Sequence, residues 1–84
     1  MKITIERKEK VEVEVQLPYY SKTTSQFFKI EENKTTCVNY YETLNSFGIE
    51  VDDYQQKFPF DYEQTTEEVF NKVLEIVKLK INQL

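Results

Sequence analysis

The chain has 84 residues, one cysteine and no histidine. That length makes one domain, residues 1–84, and it hides only about 60 to 65% of the surface its unfolded form exposes, for a stability of about 4 to 13 kcal/mol. A lone Cys37 excludes an internal disulfide, and one Cys without His cannot furnish a zinc site, so no metal or other cofactor is expected. Met1-Lys2 leads into alternating Ile3, Thr4, Ile5 rather than a continuous apolar run. A cytoplasmic protein without a secretory leader or membrane span is therefore expected.

From Ile3 to Leu17 the odd positions carry most of the apolar side chains and the even positions are polar, a period of two that reads as strand buried on one side. The polar stretch Arg7–Lys10 admits two readings. A three-residue loop centred on Lys8 would pair Ile5 with Val11 and Ile3 with Val13. The unbroken odd-even phase favours instead one long or bulged strand of about 15 residues, although strands usually run to five or six. Pro18 ends this region by removing a backbone donor, and Ser21–Ser25 reads as a polar loop.

Gln26–Glu31 is a second strand carrying Phe27, Phe28 and Ile30, and Thr35–Tyr41 a third. Glu32-Asn33-Lys34 lies between them as a hairpin loop, with Asn33 suited to the left-handed region. A three-residue loop pairs Phe28 with Val38, which sets Phe28, Ile30, Val38 and Tyr40 toward a covering helix and leaves Phe27, Cys37 and Tyr41 on the far face. Glu42–Phe47 has the spacing of a short helix ended by Gly48. At the C-terminus Thr65-x-x-Glu68 matches a capping box. Phe70, Val73, Leu74, Val77, Ile81 and Leu84 then fall on one stripe of a helix, widened by Val69 and Ile76. The expected fold class is α+β: a three-stranded, mainly antiparallel sheet packed by one C-terminal helix.

Three aromatic doublets, Tyr19-Tyr20, Phe27-Phe28 and Tyr40-Tyr41, lie in or beside stretches that read as strand. Neighbouring strand residues point to opposite faces, so one ring of each pair is left over once a single helix covers one face. Those rings must be solvated, packed under a loop or held by a partner. Tyr19, Phe27 and Tyr41 are the candidates for partner contact.

Between Glu50 and Glu68 stand seven acids against Lys57 alone. A segment so acidic repels nucleic acid and attracts basic surfaces, including those built to hold nucleic acid. Aromatic rings thread through it, unlike a disordered solubilising tail. Glu50, Asp52, Asp53, Tyr54, Phe60, Asp61, Tyr62 and Glu63 form the candidate partner-binding segment.

Catalysis finds little here. Nucleophilic chemistry at neutral pH needs an activating base, most often His; Cys37 on a strand reads as a small buried hydrophobe. Asp52-Asp53 or Asp61-x-Glu63 would need a substrate cleft that so small a core rarely encloses. The chain is expected not to be an enzyme. A sheet displaying Tyr19, Phe27 and Tyr41 beside Lys22, Lys29 and Lys34 could instead stack single-stranded nucleic acid, yet only one Arg and no basic stripe are present. A homodimer through the aromatic face or an unpaired edge strand is a further reading.

The run VEVEVQLPYY at Val11–Tyr20, followed by FFKI at Phe27–Ile30 and a helical C-terminal half, resembles small accessory proteins of phages and mobile elements, a class that includes anti-CRISPR proteins. The resemblance implies a protein that docks on a host machine. Taken with the acidic aromatic segment, it leads to a non-catalytic inhibitor bound to a basic, nucleic-acid-handling protein partner such as a CRISPR effector.

Overall fold

A computed structural model describes residues 2–6 and 10–82. It shows an α+β fold with a five-stranded antiparallel sheet, a separate two-stranded ribbon and one C-terminal helix. Strands β1 (Lys2–Glu6) and β2 (Lys10–Glu14) form the ribbon, with Ile3 opposite Val13 and Ile5 opposite Val11. The expectation of one long strand is thus corrected. A hairpin with an odd-numbered loop preserves the odd-even phase as fully as a continuous strand does, so the phase could not separate them. The loop expected around Lys8 lies outside the described residues.

The main sheet consists of β3 (Tyr19–Lys22), β4 (Gln26–Ile30), β5 (Thr35–Tyr41), β6 (Ser46–Asp52) and β7 (Glu63–Gln64), in the order β6-β5-β4-β3-β7. Three strands were an undercount. Ser21 and Lys22, expected in a loop, belong to β3. Its turn into β4 is closed by the Thr23 N–H donating to the Gln26 carbonyl (2.8 Å), with the Gln26 N–H donating back to Thr23 Oγ1 (3.2 Å). Glu42–Phe47 is not helical. Residues 42–45 make a tight turn in which the Leu44 and Asn45 N–H groups donate to the Tyr41 and Glu42 carbonyls. Asn45 takes the left-handed conformation (φ 49°) that delivers the chain into β6. Gly48, expected to stop a helix, sits opposite Asn39 in mid-strand.

The β4–β5 register decides which rings meet the helix. Ile30 pairs with Thr35, and the Glu31 N–H donates to the Lys34 carbonyl (2.8 Å), so the chain reverses over Glu32-Asn33 rather than over three residues. Asn33 does not take positive φ. Shortening the loop by one residue turns β4 over relative to β5. Phe28 now opposes Cys37 and Phe27 opposes Val38.

Helix α1 (Glu67–Asn82) accordingly covers Tyr20, Phe27, Val38 and Tyr40 with Phe70, Val73, Leu74, Val77 and Ile81. The expected stripe holds, apart from Leu84, which lies outside the described residues. Val69 is 39% exposed and belongs to the rim. The cap moves by one position from Thr65. Thr66 Oγ1 accepts from the Val69 N–H (3.2 Å) and the Thr66 carbonyl from the Phe70 N–H (3.0 Å). Thr65 instead donates its N–H to the Tyr20 carbonyl (2.9 Å), continuing the short β7 pairing on β3. Among the described residues no helix is long and apolar enough to cross a membrane.

Candidate docking surface

β6 and β7 lie at opposite edges of the sheet, and the helix occupies one face. The acidic segment between these strands therefore crosses the other face, which carries Phe28, Ile30 and Cys37. Its path is fixed by hydrogen bonds to the strands and turn beneath. Thr35, 1% exposed, donates its hydroxyl to the Tyr54 carbonyl (2.9 Å) and accepts from the Gln56 N–H (2.8 Å). Gln55 Nε2 donates to the Glu31 carbonyl (3.1 Å), and Gln56 Nε2 to Asp52 Oδ2.

A 3-10 turn, Phe58–Asp61, follows, with Pro59 presetting its first residues and the Phe60 and Tyr62 N–H groups donating to the Lys57 and Pro59 carbonyls (3.2 Å each). The turn drives Phe60 inward, to 2% exposure, against Tyr19 (ring centroids 5.1 Å). Tyr62 lies half-buried over Phe28 (5.4 Å). Val15 is buried in the same cluster, with Leu17 packed at its margin. Two rings of the second set, Tyr19 and Phe28, are thus packed under a loop, one of the three outcomes the doublets required.

The same segment shows a different surface outward. Phe58 is 64% exposed and Tyr54 58%. Phe58 meets Tyr62 edge-on at 6.4 Å. Glu50, Asp53, Asp61 and Glu63 are exposed and Asp52 is half-buried. Glu63 makes an open ion pair with Lys22 (3.5 Å). Of the candidate residues in this segment, then, Phe60 is core, Tyr62 and Asp52 are half-buried, and Glu50, Asp53, Tyr54, Asp61 and Glu63 are at the surface. Phe58, outside the candidate set, presents the most exposed aromatic ring. Its signal was the proline after it: in Phe-Pro-Phe the two flanking rings are held on a rigid turn, and only one can enter the core.

The sheet aromatics do not form one platform. Phe27 is buried beneath the helix, Tyr19 is half-buried against Phe60 on the opposite face, and Tyr41 is half-buried near the β5–β6 turn. Cys37 is buried and donates weakly to Asn39 Oδ1 (3.7 Å). Burial, then Glu50 and Asp52, push its thiol up to about 11, which holds it as the unreactive thiol at neutral pH. An open recess is lined by Val15, Gln16, Pro18, Tyr19, Tyr20, Gln64 and Thr65. Among the described residues its ionisable side chains are two tyrosines, and burial together with Glu67 and Glu31 raises the phenol of Tyr20.

Neither a protein-family model, nor a curated protein, nor a solved structure matches this chain.

Proposed function

We propose that the protein is a non-catalytic binding module that docks through its acidic strap, residues 50–64, on the basic surface of a nucleic-acid-handling protein and inhibits it by occupying that surface. The observation that carries this reading is the division of labour within one short segment. Its inner side chains, Phe60 and Tyr62, anchor it to the sheet, and its outer side presents Phe58 and Tyr54 among exposed carboxylates. Carboxylates steer association with a basic partner, and aromatic side chains supply contact area at low rotamer cost. A preformed strap also avoids the ordering cost that a disordered acidic tail meets on binding.

Stacking of single-stranded nucleic acid has less support, since Phe27 is under the helix and the exposed rings stand in negative surroundings. The resemblance to phage accessory proteins directs the test to CRISPR effectors freed of guide and target. Surface plasmon resonance at low and high salt compares the wild type with Phe58→Ala and with the double reversal Asp53→Lys, Asp61→Lys. The expected result is fast association that weakens with salt, is reduced by either variant and is competed by the effector's own nucleic acid. Absence of binding across the effectors, or binding indifferent to salt and to both variants, would reject the reading.

A further inference from the structure

We infer that β6 is a self-pairing edge, through which two copies of the chain join their sheets antiparallel about Ile49. The two edges of the sheet are treated differently. On the β3 side the two-residue β7 closes the ladder, the short-strand device by which natural sheets blunt an edge. On the β6 side the edge is a strand of seven residues with no further strand beside it among the described residues.

The hydrogen-bond phase identifies which groups are presented. The Tyr40 N–H donates to the Ser25 carbonyl (2.7 Å), so the even residues of β5 bond toward β4. Alternation then turns Thr35, Cys37, Asn39 and Tyr41 toward their β6 partners Asp52, Glu50, Gly48 and Ser46. The N–H and C=O groups of Phe47, Ile49 and Val51 consequently point away from the sheet, without a partner among the described residues. These three residues carry the apolar side chains of the strand, on the helix side. Phe47 and Ile49 pack on the core and Val51 is 52% exposed. No proline or charge occupies the three outward positions. The acids of β6, Glu50 and Asp52, lie on the opposite face.

A second copy fits this edge because the strand is complementary to itself. A two-fold axis perpendicular to the sheet keeps both helices on one side and pairs odd positions with odd. Centred on Ile49, it sets Phe47 against the partner's Val51, Glu50 against the partner's Gly48 and Asp52 against the partner's Ser46. Every outward backbone group of the three residues gains a bond, and no like charges stand directly opposite. Centred on Glu50, the same pairing would bring glutamate against glutamate, which cross-strand energetics disfavour. Centred on Gly48, it would leave Val51 facing the partner's Asn45 in the turn. Each copy carries a net charge of −4, so the pairing strengthens as salt rises. That is opposite to the salt response of the acidic strap, which separates the two interactions experimentally.

Sedimentation velocity of the full chain over a range of concentrations tests the inference, with amide exchange on the same samples. The expected result is a species of twice the 10.1 kDa chain mass that is favoured by salt. Exchange at Phe47, Ile49 and Val51 should slow as protein concentration rises, while Gly48, Glu50 and Asp52 stay protected throughout. Val51→Pro removes an outward N–H without touching the intrachain ladder, and Val51→Lys adds a charge with the backbone intact. Both should give the monomer with an unchanged far-UV spectrum. A monomer at every concentration, a dimer that persists in Val51→Lys, or exchange at the three outward amides that ignores concentration would overturn it.

Discussion

The two faces of the central sheet are covered by different means. On one, a 16-residue helix lays a regular apolar stripe over Tyr20, Phe27 and Val38, with its backbone bonds satisfied internally. On the other, an irregular acidic strap covers Phe28, Ile30 and Cys37 with one phenylalanine and one half-buried tyrosine. Its backbone is held by a borrowed side chain, the buried Thr35 hydroxyl. A helix needs only its own periodicity to cover a face. A strap needs particular polar groups beneath it, and in exchange its outward side is free to vary.

The largest effect is expected on the helix side. Phe70 is 1% exposed and packs at a tilt against Tyr20, ring centroids 5.5 Å apart, so Phe70→Ala should lower stability by about 3 to 5 kcal/mol, read from a denaturant midpoint at unchanged m-value. A loss under about 1 kcal/mol would mean that the helix does not close this core.

Thr35→Val sharpens the contrast, because it keeps the volume and removes one hydroxyl. Left unpaired, the Tyr54 carbonyl and Gln56 N–H should together cost about 2 to 3 kcal/mol. Amide exchange should quicken across residues 54–62 and stay unchanged in the helix. Equal quickening in both would show that the strap and the helix unfold as one unit.

A smaller, pH-dependent effect comes from Cys37. Its folded pKa of about 11 lies above the ordinary 9.0, so the folded state disfavours the thiolate. The associated stability is fully present below about pH 9 and is lost as pH rises toward 11, by up to about 2 kcal/mol. Cys37→Val should flatten the stability profile in that window, and an unaltered slope would exclude Cys37 as its source. Tyr20, shifted in the same direction, leaves a residual slope in the variant.

These contrasts explain what was legible in the sequence. Phe70, Val73, Leu74, Val77 and Ile81 announce themselves by spacing, because a helix converts sequence period directly into a face. The doublet Phe27-Phe28 does not: it offers a ring to either face, so hydrophobicity fits both registers, and only the two-residue reversal at Glu32-Asn33 decides between them. Tyr19–Lys22 escaped recognition as a strand because four residues beside a proline carry little period. Within the candidate surface, composition located the acidic aromatic segment. It could not say that Phe60 turns in and Phe58 out, which depends on a 3-10 turn built around one proline.

The central claim is that the strap has a structural inside and a surface outside, and Phe58 and Phe60 test it without any partner. Equilibrium unfolding of Phe60→Ala and Phe58→Ala, measured side by side, should separate two chemically identical truncations two residues apart. Phe60→Ala should lose about 3 to 5 kcal/mol and Phe58→Ala should stay within about 0.5 kcal/mol of the wild type. Equal losses, or a larger loss at Phe58, would contradict the account.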